Sequence, residues 1–239
     1  MNQVLITGIC LTLLAGVSSG AAAQRLSLVT EGRPQATIVL AEKPTSSTQL
    51  AAYDLQHYIK KISGAELPIV REPQAVAGTR ILVGESEATR ALGYGNHNLN
   101  LKKQEYVIKS FPNALLLLGY DTQHFGAIDY NSYGSIYKEV CYPNDLYGGM
   151  GTCYAVHAFL ENTLGVRWYY PNEKIGEVVA LSPTIAIKNL DVRRSPDAPI
   201  RPVHPHLANT EKLFFTDEDE PQRFQRSWVN PRTSLLYWI

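Results

Sequence analysis

The sequence predicts an α+β fold, a two-layer α/β sandwich in which a mixed sheet is flanked by helices. Short β-branched or apolar runs recur between Ala36 and Tyr120 with turn residues between them. Two longer stretches, residues 47–64 and 151–165, place apolar residues at helical spacing, and each closes on a glycine. The order along the chain is a strand, a helix and then several strands before the second helix, which suits helices gathered on a mixed sheet.

"ATIVLAEKP" (36–44) is a β-branched run stopped by proline, hence a strand. In the helix that follows, Ser47 or Thr48 is placed to cap the start. Ala51, Ala52, Leu55, Ile59 and Ile62 share one face, and Gly64 suits the left-handed position after the last turn. "ELPIV" (66–70) and "TRILVG" (79–84) read as short strands, and "SEATRALG" as a short helix. "QEYVIKS" (104–110) alternates polar and apolar residues, while "ALLLLGY" (114–120) is a buried run. Phe111-Pro112-Asn113 joins the two as a hairpin.

Residues 121–150 lose all periodicity and are rich in tyrosine and glycine, a length of connection that signals function or weak order. Helical spacing returns with Val156, Phe159, Leu160 and Leu164. Thr152 is placed as a cap and Gly165 as the stop. "VRWYYP" then reads as a strand, followed in β style by "EVVAL" and "TIAIKNLDV". After Arg193 the chain turns proline-rich and charged, as linkers do, so a boundary is placed near 195, with a domain over 24–194 and the linker and start of a following domain over 195–239.

The chain has 239 residues, enough for one large domain or a medium domain with part of another. Its 45% apolar content can supply a core. Lys+Arg and Asp+Glu both number 22. That balance argues against a nucleic-acid surface or a polybasic membrane anchor. Residues 1–23 read as a secretory signal: Val4–Val17 is an apolar run short of a bilayer span, and Ala21-Ala22-Ala23 offers an A-x-A cut. The expected location is secreted or periplasmic, with no membrane association after cleavage. Cys10 leaves with the signal, so Cys141 and Cys153 remain. An oxidising compartment would let them bridge, for about 3 kcal/mol in the chain-entropy model, or they stand as separate thiols.

Several runs together resemble a known arrangement: "KKISGAELPIV", "RILVGES", "EYVIKS", "ALLLLGY" and "GTCYAVHAFLENTLGVRWYYPNEKIGEVV", in that order. They resemble the N-terminal domain of alpha-glucuronidase-type glycoside hydrolases of family 67, a domain with the fold of the non-catalytic second domain of β-hexosaminidases. The likeness runs over roughly 36–201, is most specific from Gly151 to Tyr169, and includes Arg201 in "APIRP". It implies a supporting domain placed before a (β/α)8 barrel that binds sugar and carries the catalytic carboxylates. The barrel is then the expected partner, with carbohydrate as a further one. A barrel needs about 250 residues, so no barrel catalytic position transfers to this sequence.

Within the sequence, no catalytic residue, metal site or cofactor is assigned. Asp217–Glu220 is the densest acidic group, but adjacent carboxylates beside Pro221 read as a solvated loop rather than the spaced pair, about 5 Å or about 6.5–9.5 Å apart, that glycoside hydrolysis uses. His204 and His206 flank Pro205 with no third ligand at a telling distance. "ILVGES" lacks the glycines and base of a phosphate cradle. Tyrosines 120, 130, 133, 137, 142 and 147 could stack on sugar rings or pack their loop onto the sheet; Tyr130, Tyr133 and Tyr137 are the substrate-binding candidates. Arg167, between Val166 and Trp168, is expected to face away from the apolar side and tie loop carbonyls or a carboxylate, Glu161 or Glu173. Arg167 and Trp168 thus form a structural clasp. The two leading readings are a non-catalytic domain of a polysaccharide-degrading hydrolase and a free-standing exported binding module.

Overall fold

The computed structural model describes residues 25–141, 149–169 and 176–195, with the side chains of His97, Tyr133, Tyr137 and Cys141 outside that description. In chain order the elements are β1 (Leu26–Thr30), β2 (Arg33–Pro34), β3 (Ala36–Leu40), α1 (Ser46–Ser63), β4 (Ile69–Arg71), β5 (Thr79–Val83), α2 (Glu87–Ala91), α3 (Asn96–Leu99), β6 (Tyr106–Phe111) and β7 (Ala114–Gly119). They continue with α4 (Tyr133–Ile136), a π-helical turn (Tyr137–Cys141), α5 (Gly151–Asn162), β8 (Arg167–Trp168), β9 (Glu177–Val178), β10 (Ile185–Ile187) and β11 (Asp191–Arg194).

A six-stranded mixed sheet in the order β11-β6-β7-β5-β3-β4 forms the centre. β4, β3, β5 and β7 run parallel, while β6 is antiparallel to both β7 and β11. The architecture is the α+β class that the sequence predicts. Period-two alternation sorts the side chains. Ile38, Leu40, Ile81, Val83, Leu115 and Leu117 meet α1 and α5 on one face. Val39, Leu82, Val107, Leu116 and Leu118 meet Leu92, Leu99 and Leu101 on the other. Both faces are covered, which explains why "RILV" and "ALLLL" are continuous apolar runs rather than alternating ones.

α1 begins two or three residues earlier than its sequence suggests. Thr45, not Ser47 or Thr48, is the cap: its hydroxyl accepts the Thr48 N–H at 3.2 Å. Proline at 44 disfavours helical backbone in the residue before it, and Thr45 is the first hydroxyl residue beyond. Gly64 ends the helix at φ 78°, donating to the Lys60 carbonyl.

α5 is a second correction, because Thr152 does not cap it. Met150 occupies the cap position without a side-chain bond. Asp121, from the end of β7, accepts the Thr152 N–H at 3.0 Å instead. Gly119 and Gly151 make this junction possible. A Cβ on Gly119 would fall 2.0 Å from the Gly151 carbonyl carbon, and one on Gly151 would fall 2.4 Å from Tyr120 N. Only two residues without side chains can bring the strand end and the helix start this close.

β1 and β2, over which the sequence gives no strand signal, pair with each other, and β1 also pairs with β10, as a separate three-stranded sheet in the order β10-β1-β2. The strand expected over 66–70 is shorter and later, at Ile69–Arg71, because Pro68 has no N–H to enter the ladder.

Candidate functional site

A crevice of about 440 Å³ opens at the carboxyl ends of the parallel strands. Ala41 to Thr48 follow β3, Glu72 and Pro73 follow β4, Glu85 to Asn96 follow β5, and Gly119 to Phe125 follow β7. The chain leaves β3 for β4 on one side and returns to β5 on the other, so the crevice sits where strand order reverses. That is the usual ligand position in open sheets with parallel strands.

Asp121 lies on its floor and is buried. Its Oδ2 accepts the hydroxyls of Thr48 at 3.0 Å and Thr152 at 2.5 Å, while Oδ1 takes the Thr152 N–H. Burial raises its pKa from 3.8 to about 6, against hydrogen bonds from Thr152, Thr48 and Ser47 that pull it down. Glu72 is equally committed, since its two oxygens accept the N–H groups of Glu87 and Ala88, both at 2.9 Å, at the start of α2. Arg90 joins Glu87 at 2.6 Å and Glu85 at 3.3 Å. Four of the five carboxylates on the wall therefore already serve the fold. None of these four is left open as a general acid or base, which needs a proton path to a substrate atom.

A second polar cluster lies between α1 and α5, under the small β8–β9 hairpin. His157 Nε2 meets Asp54 at 2.9 Å, and Tyr130 donates to the other oxygen of Asp54 at 2.8 Å. Trp168 donates to the Tyr58 hydroxyl at 2.8 Å, which in turn donates to Glu177 at 2.9 Å. Burial, then the charges of Glu177 and Asp54, hold the Tyr58 phenol well above its ordinary value. His157 is fully buried and its Nδ1 has no partner among the described residues.

The residues singled out from the sequence scatter over these features. Tyr130 is half-buried, with its ring 5.7 Å from that of Tyr53. Arg167 is exposed while Val166 and Trp168 are buried, and its Nη1 donates to the carbonyls of Glu161 at 2.6 Å and Val166 at 2.8 Å. It therefore reaches a main-chain oxygen of Glu161 rather than the carboxylate. Cys153 Sγ donates to the Ser47 carbonyl at 3.1 Å. The Tyr133, Tyr137 and Cys141 side chains lie outside the described residues, as do residues 1–23, Tyr142, Tyr147, Glu173, Arg201, His204, His206 and Asp217–Glu220. No sequence signal marks Asp121 and Phe125, from the loop after β7, or Asn96, from the start of α3, as lining one crevice.

Among the described residues, no group of three or more His, Cys, Asp or Glu side chains is placed to hold a metal ion, and no helix is long and apolar enough to cross a membrane.

The fold and its strand-end crevice place the chain among α+β domains of mixed sheet. A solved structure with this architecture is a family GH115 4-O-methyl-alpha-glucuronidase, BtGH115A, described as having specificity for decorated arabinogalactans. The likeness has a TM-score of 0.52 and 14% identity, and covers 87% of this chain and 25% of that one. The chain thus spans about a quarter of the length of the enzyme it resembles, and what is shared is the fold. No protein-family model matches the chain, and no curated protein does either.

Proposed function

We propose that this chain supplies the N-terminal, non-catalytic domain of a secreted, polysaccharide-acting glycoside hydrolase of alpha-glucuronidase type, bracing a catalytic (β/α)8 barrel. The observation that carries this reading is the fold likeness: nearly the whole of this chain corresponds to a quarter of an alpha-glucuronidase. The committed carboxylates of the crevice agree with a supporting role. The resemblance of residues 36–201 to the family 67 N-terminal domain supports a barrel following this domain, and the apolar run with its A-x-A site supports export. The alternative, a free-standing module binding sugar through its tyrosine loop, draws no support from Tyr130, whose hydroxyl and ring are both engaged.

Two measurements test the proposal. The purified chain, incubated with aryl glucuronides and glucuronoxylan fragments, is expected to release no product; turnover by the chain itself would overturn the non-catalytic role. Reading the coding DNA past codon 239 is expected to reveal a barrel with paired acidic residues, in frame or across one frameshift. Its absence would favour the free-standing module.

A further inference from the structure

The groups of the strand-end crevice that remain uncommitted form a coherent set. Glu42 and Lys43 are exposed on the rim after β3, and no hydrogen bond or ion pair engages either among the described residues. Gln123 uses its amide nitrogen on the Asp121 carbonyl at 3.3 Å, which leaves its amide oxygen for a guest. Asn96 Oδ1 is buried in the wall with no hydrogen-bond partner, an acceptor whose isolation costs free energy until a donor reaches it.

Phe125 completes the set. It lines the crevice and is 54% exposed. Its backbone is nevertheless fixed, because the residues on either side are clamped to the start of α1. Ser46 N donates to the His124 carbonyl at 2.8 Å, Ser46 Oγ donates to the Gly126 carbonyl at 2.7 Å, and Gln49 donates to the same carbonyl at 3.1 Å. An exposed apolar ring on a fixed stretch of backbone at the mouth of a polar crevice is a ready platform for a ring-shaped guest.

Charge narrows the class of guest. Glu72, Glu85, Glu87 and Asp121 are compensated by main-chain donors, hydroxyls or Arg90, and the remaining rim charges of Glu42 and Lys43 are opposite in sign. An anion would meet five carboxylates against the two cations Lys43 and Arg90, and the four inner carboxylates already accept donors, which leaves neutral donor and acceptor groups for a guest. We infer that the crevice binds a neutral pyranoside, stacked on Phe125 and hydrogen-bonded by Asn96, Gln123, Glu42 and Lys43. Its volume lies in the range of about 300–1,000 Å³ usual for small-molecule sites. This ligand site is separate from the bracing role and does not require it.

Isothermal titration calorimetry and saturation-transfer NMR on the full chain test the assignment, with methyl β-D-xylopyranoside, methyl β-D-galactopyranoside and xylobiose as probes. At least one is expected to bind saturably, and Phe125→Ala and Asn96→Ala are each expected to weaken that binding about tenfold. Choline and D-glucuronate, as cationic and anionic probes, are expected to bind at least about tenfold more weakly than the best neutral glycoside. The inference is overturned if no neutral glycoside saturates the protein, if both variants bind like the parent chain, or if choline or glucuronate proves the tightest ligand.

Discussion

A carboxylate shut away from water resists ionisation unless donors surround it, and Asp121 has the Thr48 and Thr152 hydroxyls and the Thr152 N–H. Burial still wins, and the pKa moves from 3.8 to about 6. Because the folded value is the higher one, the native state holds a proton that the unfolded chain releases. The associated stability is fully present below about pH 4 and is lost as pH rises through about 6. The difference corresponds to about 3 kcal/mol. Urea denaturation between pH 4 and 7 is therefore expected to show stability declining with pH, and Asp121→Asn is expected to flatten that decline; an unchanged slope would remove Asp121 as its source. Arg167→Ala loses two bonds to main-chain oxygens. It should lower the melting temperature by about 2–4 °C, beyond the scatter of exposed substitutions, with an unshifted transition as the contrary result. The alternation that exposes Arg167 and buries Trp168 was legible from "VRW". The role of Asp121 was not, because its partners lie 73 and 31 residues away in sequence.

At the level of elements, α1 and α5 are joined by apolar packing and by the buried His157–Asp54 contact. Removing one partner of such a pair strands the other in a dry environment. Asp54→Ala, which also strands the Tyr130 hydroxyl, is expected to cost about 3–5 kcal/mol. His157→Leu with Asp54→Leu should cost less than the sum of the two single changes, as a double-mutant cycle by chemical denaturation would reveal; strict additivity would deny the coupling. The helices could be read in advance because Leu55, Ile59 and Ile62, or Val156, Phe159 and Leu160, recur on one face and a glycine follows each run. Their polar residues could not, since Asp54 and His157 look like ordinary solvated positions until the two helices meet. β1 and β2 escaped notice because "LSLVTEGRP" mixes polarities, and β1 gains its partner β10 from more than 150 residues downstream.

For the whole molecule, β11 forms the last described strand of the central sheet and ends at Arg194, where the proline-rich, charged stretch begins. A chain ended after Ser195 is thus expected to melt cooperatively within a few degrees of the full chain; a large drop would move the domain boundary beyond 195. The fold class could be read from strand and helix patterns, whereas the crevice could not. Its walls come from loops after four strands, and a linear pattern holds no trace of which loop ends converge. Nor does any motif foretell that four of the wall carboxylates would be spent on helix starts, on hydroxyls and on Arg90.

The meeting of Gly119 with Gly151 has a consequence for tracing ancestry. Apolar core positions exchange readily for one another when volume is kept. A backbone-to-backbone approach this tight admits no compensating exchange, since a neighbour that is itself main chain cannot shrink. Distant members of this lineage should betray themselves by paired glycines, one closing an apolar strand and one opening the helix that docks beside it, long after their other letters have become unrecognisable.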